Sequence, residues 1–277
     1  MDHRPKCKTQ NDKLLENNYE VIGIDNFNDY YNPIYKRNNI KNALQSNKFS
    51  LHEVDICSKN EITKIINKCG AQTIIHLAAR AGVRPSIDNP KIYIDANIGG
   101  TLNILEASKE KNIENFIFAS SSSVYGERSK VPFTEIDKVD QPVSPYAATK
   151  ITTEKMIATW CQLYPLKATI LRFFTVYGPK GRPDMAPYLF TQNILRGIPI
   201  IKYGDGSSSR DYTYIDDIVS GILTAIDKNF NFEIINLGNS HPINLNGLIS
   251  TIENVTGKKA KIEIKPKQKG DVEKTYA

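Results

Sequence analysis

Apolar, β-rich runs alternate with stretches of helical periodicity through the first two thirds of this chain, and that alternation constrains the fold more than any other feature. Residues 19–25, 73–77, 115–120 and 168–173 read as strands, and residues 61–68, 90–111 and 145–164 read as helices between them. Strands joined through helical crossovers run parallel, and a parallel sheet needs helices over both faces. The expected fold class is therefore α/β, a doubly wound parallel sheet. The helix at 145–164 carries its own start signal, with Ser144 as N-cap and Pro145 at the first helical position.

Beyond Phe173 the pattern changes. Turn-rich stretches at 177–183 and 203–207 separate shorter elements, which predicts a first domain over 11–173 and a smaller second lobe over 174–277. The run 232–237 still has the character of a core strand, so 214–237 is expected to return to the first sheet. The 277 residues suffice for a substantial core, and 40% hydrophobic with 24% charged residues excludes disordered, collagen-like and disulfide-scaffold classes. No apolar run approaches the length of a membrane span, and residues 1–10, with Arg4, Lys6 and Lys8, lack the apolar stretch of a secretory signal. The expected compartment is the cytoplasm.

Lysine and arginine number 36 against 30 acidic residues, a formal charge of +6. This excess suits an anionic ligand and is too small and dispersed for a nucleic-acid-binding protein. The Lys-rich stretch 258–269 alternates with Ile262 and Ile264 and reads as a solvated strand face. Cys7, Cys57, Cys69 and Cys161, like His3, His52, His76 and His241, are scattered, so neither a disulfide framework nor a metal site is expected.

Tyr146 and Lys150 lie four apart in a predicted helix and share one face. An ammonium beside a phenol favours the phenolate, so the pair is expected to bring the tyrosine toward the working range of a general base. Alone, such spacing equally describes a surface lysine near a half-buried tyrosine. The strand 115–120, however, runs into Ser121, Ser122 and Ser123, placing hydroxyls at the carboxyl end of a parallel strand, where open α/β sheets bind ligands.

These segments, Ser121-Ser122-Ser123-Val124-Tyr125-Gly126, Tyr146-Ala147-Ala148-Thr149-Lys150, the stretch from Leu171 to Pro179 and that from Arg210 to Asp217, resemble the extended short-chain dehydrogenase/reductase family. The stretches from His76 to Arg84 and from Gly181 to Ala186 are similar to those of UDP-glucuronate 4-epimerases. The resemblance runs from about Glu20 to the last residue. It implies a Rossmann-like NAD-binding domain and a substrate-binding lobe. NAD takes a hydride from C4 of a UDP-sugar while Tyr146 removes the hydroxyl proton, and the 4-keto sugar turns over and receives the hydride on its other face. It implies catalytic roles for Ser121, Tyr146 and Lys150, the last also meeting the nicotinamide ribose. It places Asp25 and Asn26 at the adenosine ribose, Asp55 and Ile56 at adenine, Leu77, Ala78 and Ala79 against pyrophosphate and nicotinamide, and Asn97 near the ribose. Ser122, Phe174 and Thr175 belong to the sugar pocket, Arg182 meets the C5 carboxylate, and Arg84 and Arg210 are candidates for the diphosphate. Related dehydratases and decarboxylases carry carboxylates where Ser122 and Ser123 stand here, so the serines favour epimerisation over elimination. Relatives pair through two helices, and 90–111 with 145–164 could form such a homodimer.

The chain departs from the family at its ends. The family opens on a strand and a Gly-x-x-Gly-x-x-Gly turn, whereas the first glycine here is Gly23, inside what corresponds to the second strand. Residues 11–18 resemble the end of the first helix, residues 1–10 match nothing, and the chain stops at 271–277 where relatives continue. The expectation is a chain truncated at both ends, with two interior strand edges unpaired and no phosphate cradle. Two other readings stay open: an inactive fragment or non-catalytic nucleotide-sugar binder, and an enzyme acting on neutral UDP-hexoses or another nucleotide-sugar dehydratase or decarboxylase.

Overall fold

The computed structural model describes residues 9–128, 130–268 and 270–277. Residues 1–8, with His3 and Cys7, and Lys269 at the end of the Lys-rich stretch lie outside the described residues.

The first part of the chain runs α1 (Gln10–Glu16), β1 (Val21–Ile24), α2 (Pro33–Asn39), β2 (Phe49–His52), α3 (Lys59–Lys68), β3 (Thr73–His76), α4 (Val83–Asp88), α5 (Pro90–Tyr93), a π-helical segment (Ile94–Gly100), α6 (Thr101–Lys111), β4 (Asn115–Ser121), α7 (Pro145–Leu163) and β5 (Lys167–Phe173). It continues as β6 (Thr175–Tyr177), α8 (Ala186–Arg196), β7 (Ile200–Tyr203), β8 (Ser209–Tyr214), α9 (Ile215–Lys228), β9 (Phe232–Leu237), β10 (Pro242–Asn244), α10 (Leu245–Thr256) and β11 (Ile262–Lys265).

The central sheet has the order β3-β4-β5-β9, all parallel. β4 shows why the sequence folds this way. Its apolar run is buried on both sides, and successive residues serve opposite layers. Phe116 and Phe118 join Ile62 and Ile66 of α3, Ile104 and Leu105 of α6 and Ile157 of α7. Ile117, between them, joins Leu171 and the α9 residues Ile218, Ile222 and Ala225. The run 232–237 forms β9 and pairs in parallel with β5.

β1 and β2 form a separate parallel pair. Both pieces of sheet share one helical layer, because Ile24 and Ile74 pack against the same cluster. Among the described residues nothing pairs β1 with β3. Every residue of β1 is partly exposed, whereas six of the seven in β4 are buried. Beyond the main sheet, β10, β8 and β6 form a second one. Phe190 and Ile194 of α8, Ile200 of β7 and Ile249 and Ile252 of α10 make a separate core. β11 pairs with β7 and leaves Ile262 and Ile264 exposed, so the alternating lysine stretch is a solvated strand.

The expected helix 90–111 is interrupted. α5 gives way to a π-helical segment before α6, and the segment contains Gly99 and Gly100. A side chain at Gly100 would stand 2.5 Å from Ile56 Cδ1, so the wider turn and the glycine admit Ile56 against the helix.

Gly126, just after the serine turn, has φ +66, and a Cβ there would lie 2.3 Å from the Gln141 carbonyl oxygen. Gly126→Ala is expected to lower stability by about 2 kcal/mol. An unchanged urea midpoint would show that the turn tolerates a side chain.

Candidate active site

The site gathers at the carboxyl ends of β3, β4 and β5. The Ser144 hydroxyl caps α7 by accepting from Ala147 N at 3.1 Å, and Tyr146 follows in the first turn. The Tyr146 backbone N–H donates to Ser86 Oγ at 3.1 Å, fixing the helix start against α4. The Tyr146 and Tyr93 rings meet edge to face, with centroids 6.3 Å apart.

Burial pushes the Tyr146 phenol above its ordinary pKa, opposed by a hydrogen bond with Ser121 and by the charge of Arg182. The expected depression by Lys150 is not what the structure shows. The Lys150 side chain, 3% exposed, donates from Nζ to the Ala119 carbonyl at 2.7 Å and lies 4.6 Å from the centre of the Phe118 ring. Burial pushes Lys150 itself down to about 7, with Glu154 opposing the shift. Desolvation of both groups outweighs the attraction that the spacing alone implied.

Ser121 Oγ accepts from Ser123 N at 3.2 Å, which turns the end of β4 into a 3₁₀ turn over Ser122–Tyr125. Ser122 is buried in that turn, and the buried Ser123 hydroxyl has no partner among the described residues. The nearby carboxylate of Glu154 is already held by Arg172.

Arg182 comes to this site from the loop after β6. Its Nε and Nη2 donate to the two carboxylate oxygens of Asp184 at 3.0 and 2.5 Å. Its guanidinium lies 5.1 Å from the centre of the Tyr30 ring. Tyr30 belongs to the loop after β1, and its hydroxyl donates to Asp184 Oδ2 at 3.3 Å. Neither partner was foreseen. Asp184 lies in the same stretch from Gly181 to Ala186, but Tyr30 is 152 residues from Arg182 and carries no sequence signal.

The residues expected at the adenosine end also converge. Asn26 Nδ2 donates to Asp55 Oδ2 at 2.7 Å, and Asp25 Oδ1 accepts from Phe27 N at 2.7 Å, just beyond the end of β1. Leu77 and Ala78 follow β3 as an exposed apolar shelf, with Leu77 41% exposed, and Ala79 is half-buried beside them. Other residues are engaged differently. Ile56 packs on Gly100 and the core. Asn97, inside the π-helical segment, accepts from Arg80 N at 2.7 Å and donates to Arg80 O and Thr149 Oγ1, both at 3.0 Å. Its amide therefore clamps the loop after β3 onto α7. Phe174 is 4% exposed and packs with Tyr125 and Phe133 in the core instead of bounding a pocket. Thr175 is half-buried in β6, at the end of β5.

Arg84 and Arg210 stand apart from this cluster in their contacts. Arg84 pairs with Asp271 at 2.9 Å and lies 5.0 Å from the Tyr203 ring centre, and Arg210 donates to the Ser209 carbonyl at 2.9 Å. Among the described residues no group of His, Cys, Asp and Glu could hold a metal ion, and no helix is long and apolar enough to cross a membrane.

A doubly wound parallel sheet with a serine, a tyrosine and a lysine gathered at its carboxyl edge is the architecture of the dinucleotide-binding α/β class, whose ligands bind at that edge. The chain belongs to the NAD dependent epimerase/dehydratase family, whose pattern matches residues 11–238. NAD is the cofactor of that family. The chain is 43% identical to the UDP-glucuronate 4-epimerase of Thermodesulfobacterium geofontis, over 95% of this chain and 81% of that one. The solved UDP-glucuronic acid 4-epimerase of Bacillus cereus, in complex with UDP-glucuronic acid and NAD, superposes with a TM-score of 0.91 at 34% identity, covering 97% of this chain and 85% of that one. The UDP-glucose 4-epimerase of Thermotoga maritima, solved with UDP-glucose, gives 0.88 at 33% identity, covering 96% and 84%.

Asn97→Ala removes the partners of both Arg80 backbone groups. It is expected to cost about 2 kcal/mol of stability and to speed hydrogen exchange at the Arg80 amide at least about tenfold. Unchanged exchange would remove the clamp role.

Proposed function

We propose that the chain interconverts the C4 epimers of a UDP-sugar, and that its substrate is UDP-glucuronate, converted to UDP-galacturonate. The observation that carries this reading is the Arg182 fork. It already grips a carboxylate bidentately, and its charge acts on the Tyr146 phenol. A substrate carboxylate exchanging with Asp184 would find the same geometry.

The residues present fit the adenosine and nicotinamide-ribose ends of NAD. The exposed apolar shelf of Leu77 and Ala78 at the end of a parallel strand is surface that a ligand would cover. Lys150 has three donors and makes one hydrogen bond among the described residues, leaving donors for a ribose hydroxyl. Asp25, Asn26 and Asp55 would hold the adenosine end, where a carboxylate repels the extra phosphate of NADP. When bound, NAD supplies the acceptor and donor of the C4 hydride.

The chain's own residues handle the proton. Tyr146 takes it from the 4-hydroxyl and returns it, and Ser121, beside the phenol, orients that hydroxyl. Ser122 and Ser123 bring no carboxylate, and Glu154 is locked on Arg172, so elimination lacks an acid and base. Thr175 lines the sugar side, and Arg84 and Arg210 serve the diphosphate. The compartment that goes with this activity is the cytoplasm. Exposed Ile94 and Leu163, on the two helical stretches expected to pair copies, fit a homodimer.

One observation favours a neutral hexose substrate instead: Asp184 fills the Arg182 fork, and an uncharged sugar would leave that pair undisturbed.

Purified protein is expected to contain dinucleotide and to convert UDP-glucuronate to UDP-galacturonate. Absence of both would favour the non-catalytic reading. Tyr146→Phe should lower turnover by about 10²- to 10⁴-fold while the protein stays folded. Arg182→Ala should raise KM for UDP-glucuronate about tenfold or more and leave KM for UDP-glucose unchanged. Equal losses for both sugars would assign the neutral substrate.

A further inference from the structure

The helix face that carries Tyr146 and Lys150 continues one more turn to Glu154, which the epimerisation chemistry does not use. Glu154 is 3% exposed and Arg172 is 1% exposed. Glu154 Oε1 accepts from Arg172 Nε at 3.0 Å and from the Ser120 hydroxyl, and Oε2 accepts from Arg172 Nη2 at 2.8 Å. A bidentate guanidinium keeps a carboxylate ionised and in one orientation. The three helix residues meet three successive residues of β4. Tyr146 stands beside Ser121, Lys150 donates to the Ala119 carbonyl, and Glu154 accepts from Ser120. Arg172 is itself the register partner of Ser120, so β4, β5 and α7 close on this one carboxylate. A buried ion pair contributes little net stability over apolar residues of similar volume, so stability alone does not account for it.

We propose that Glu154 is a positioning residue for Lys150, its fixed negative charge one helical turn away keeping the ammonium protonated inside the site while Arg172 and Ser120 hold that charge in place. The proposal rests on the reading of Tyr146 and Lys150 given above. Burial drives Lys150 down to about 7, and Glu154 is the group that opposes the shift. The other groups around the ammonium do not replace it. His76, from β3, is pushed down to about 3 by burial and is neutral. β4 presents the Phe118 ring and the Ala119 carbonyl, and β5 presents Arg172, a cation. On α7 itself, burial raises the Tyr146 phenol and so disfavours its anionic form.

The test is Glu154→Gln, with the double variant Glu154→Leu/Arg172→Met as a neutral, space-filling alternative should the single change leave Arg172 uncompensated. Lys150 is followed by NMR in protein labelled with ¹³C at the lysine ε-carbon, its signal assigned with Lys150→Arg, and the pH dependence of kcat is measured on the NAD-loaded enzyme. Without the Glu154 charge the ammonium is lost at lower pH. The Lys150 midpoint and the basic limb of the kcat profile should therefore both move down by about one unit or more, with KM unchanged within about twofold. Glu154→Asp should restore both. An unmoved Lys150 midpoint in either folded variant overturns the proposal, as does failure of both variants to fold, which would assign the pair to folding. If the wild type converts no UDP-sugar, the functional reading fails, and the Lys150 titration still decides the role of Glu154.

Discussion

Placing an ammonium in the dry space between a helix and a parallel sheet is the condition on which the site depends, because an uncompensated buried charge costs several kcal/mol. Lys150 meets that condition through the Ala119 carbonyl and the face of Phe118, with the Glu154 carboxylate one turn along α7. Glu154 is in turn held by Arg172, whose Nη1 donates to the Tyr125 hydroxyl at 3.0 Å. The Tyr125 hydroxyl donates to Asn236 Oδ1 at 2.7 Å, and Asn236 Nδ2 donates to the Phe133 carbonyl at 3.1 Å. One polar network thus runs from α7 through β4 and β5 to β9. Networks of this kind are secure only when every member is satisfied. The ends of the strands that carry Ser121 and Thr175 are consequently set by buried polar groups as well as by the apolar layers below them.

A second set of contacts joins the dinucleotide side to the sugar side. Tyr30, beyond β1, meets Arg182 and Asp184, and Lys180 Nζ donates to the Asn39 carbonyl at 3.2 Å. The buried Asp211 accepts from Asn239 N, Ser240 N and Ala277 N, which brings the loop after β9 and the end of the chain against β8. The loop that would meet the adenosine therefore touches the arginine proposed to read the sugar. The proposed places of the C5 carboxylate and of the cofactor would thus share a wall.

The same arrangement explains why epimerisation is favoured over elimination. An eliminating enzyme needs a carboxyl group free to donate and accept a proton beside the sugar. Glu154 is held by Arg172, and Glu135 accepts from the backbone N–H of Asn236. What remains near Ser121 is a phenol raised by burial and poised beside a hydroxyl and a guanidinium.

By itself the sequence determined the layers. Apolar runs such as 115–120 and 168–173 must be buried on both faces, and the helical periods between them supply the cover, so the parallel α/β sheet and the sharing of one face by Tyr146 and Lys150 follow from local pattern. Gly99 and Gly100 in the stretch 90–111 hinted at the break that became the π-helical segment, and the lone arginine in the strand run 168–173 hinted at a buried partner. Only the tertiary structure decided what each polar group meets. Asn97 clamps Arg80, Phe174 enters the core, Arg182 takes Asp184 over Tyr30, and the phenol is raised instead of lowered. Those outcomes depend on desolvation and on contacts between residues from two to more than a hundred positions apart, and neither quantity is written in the spacing of a motif.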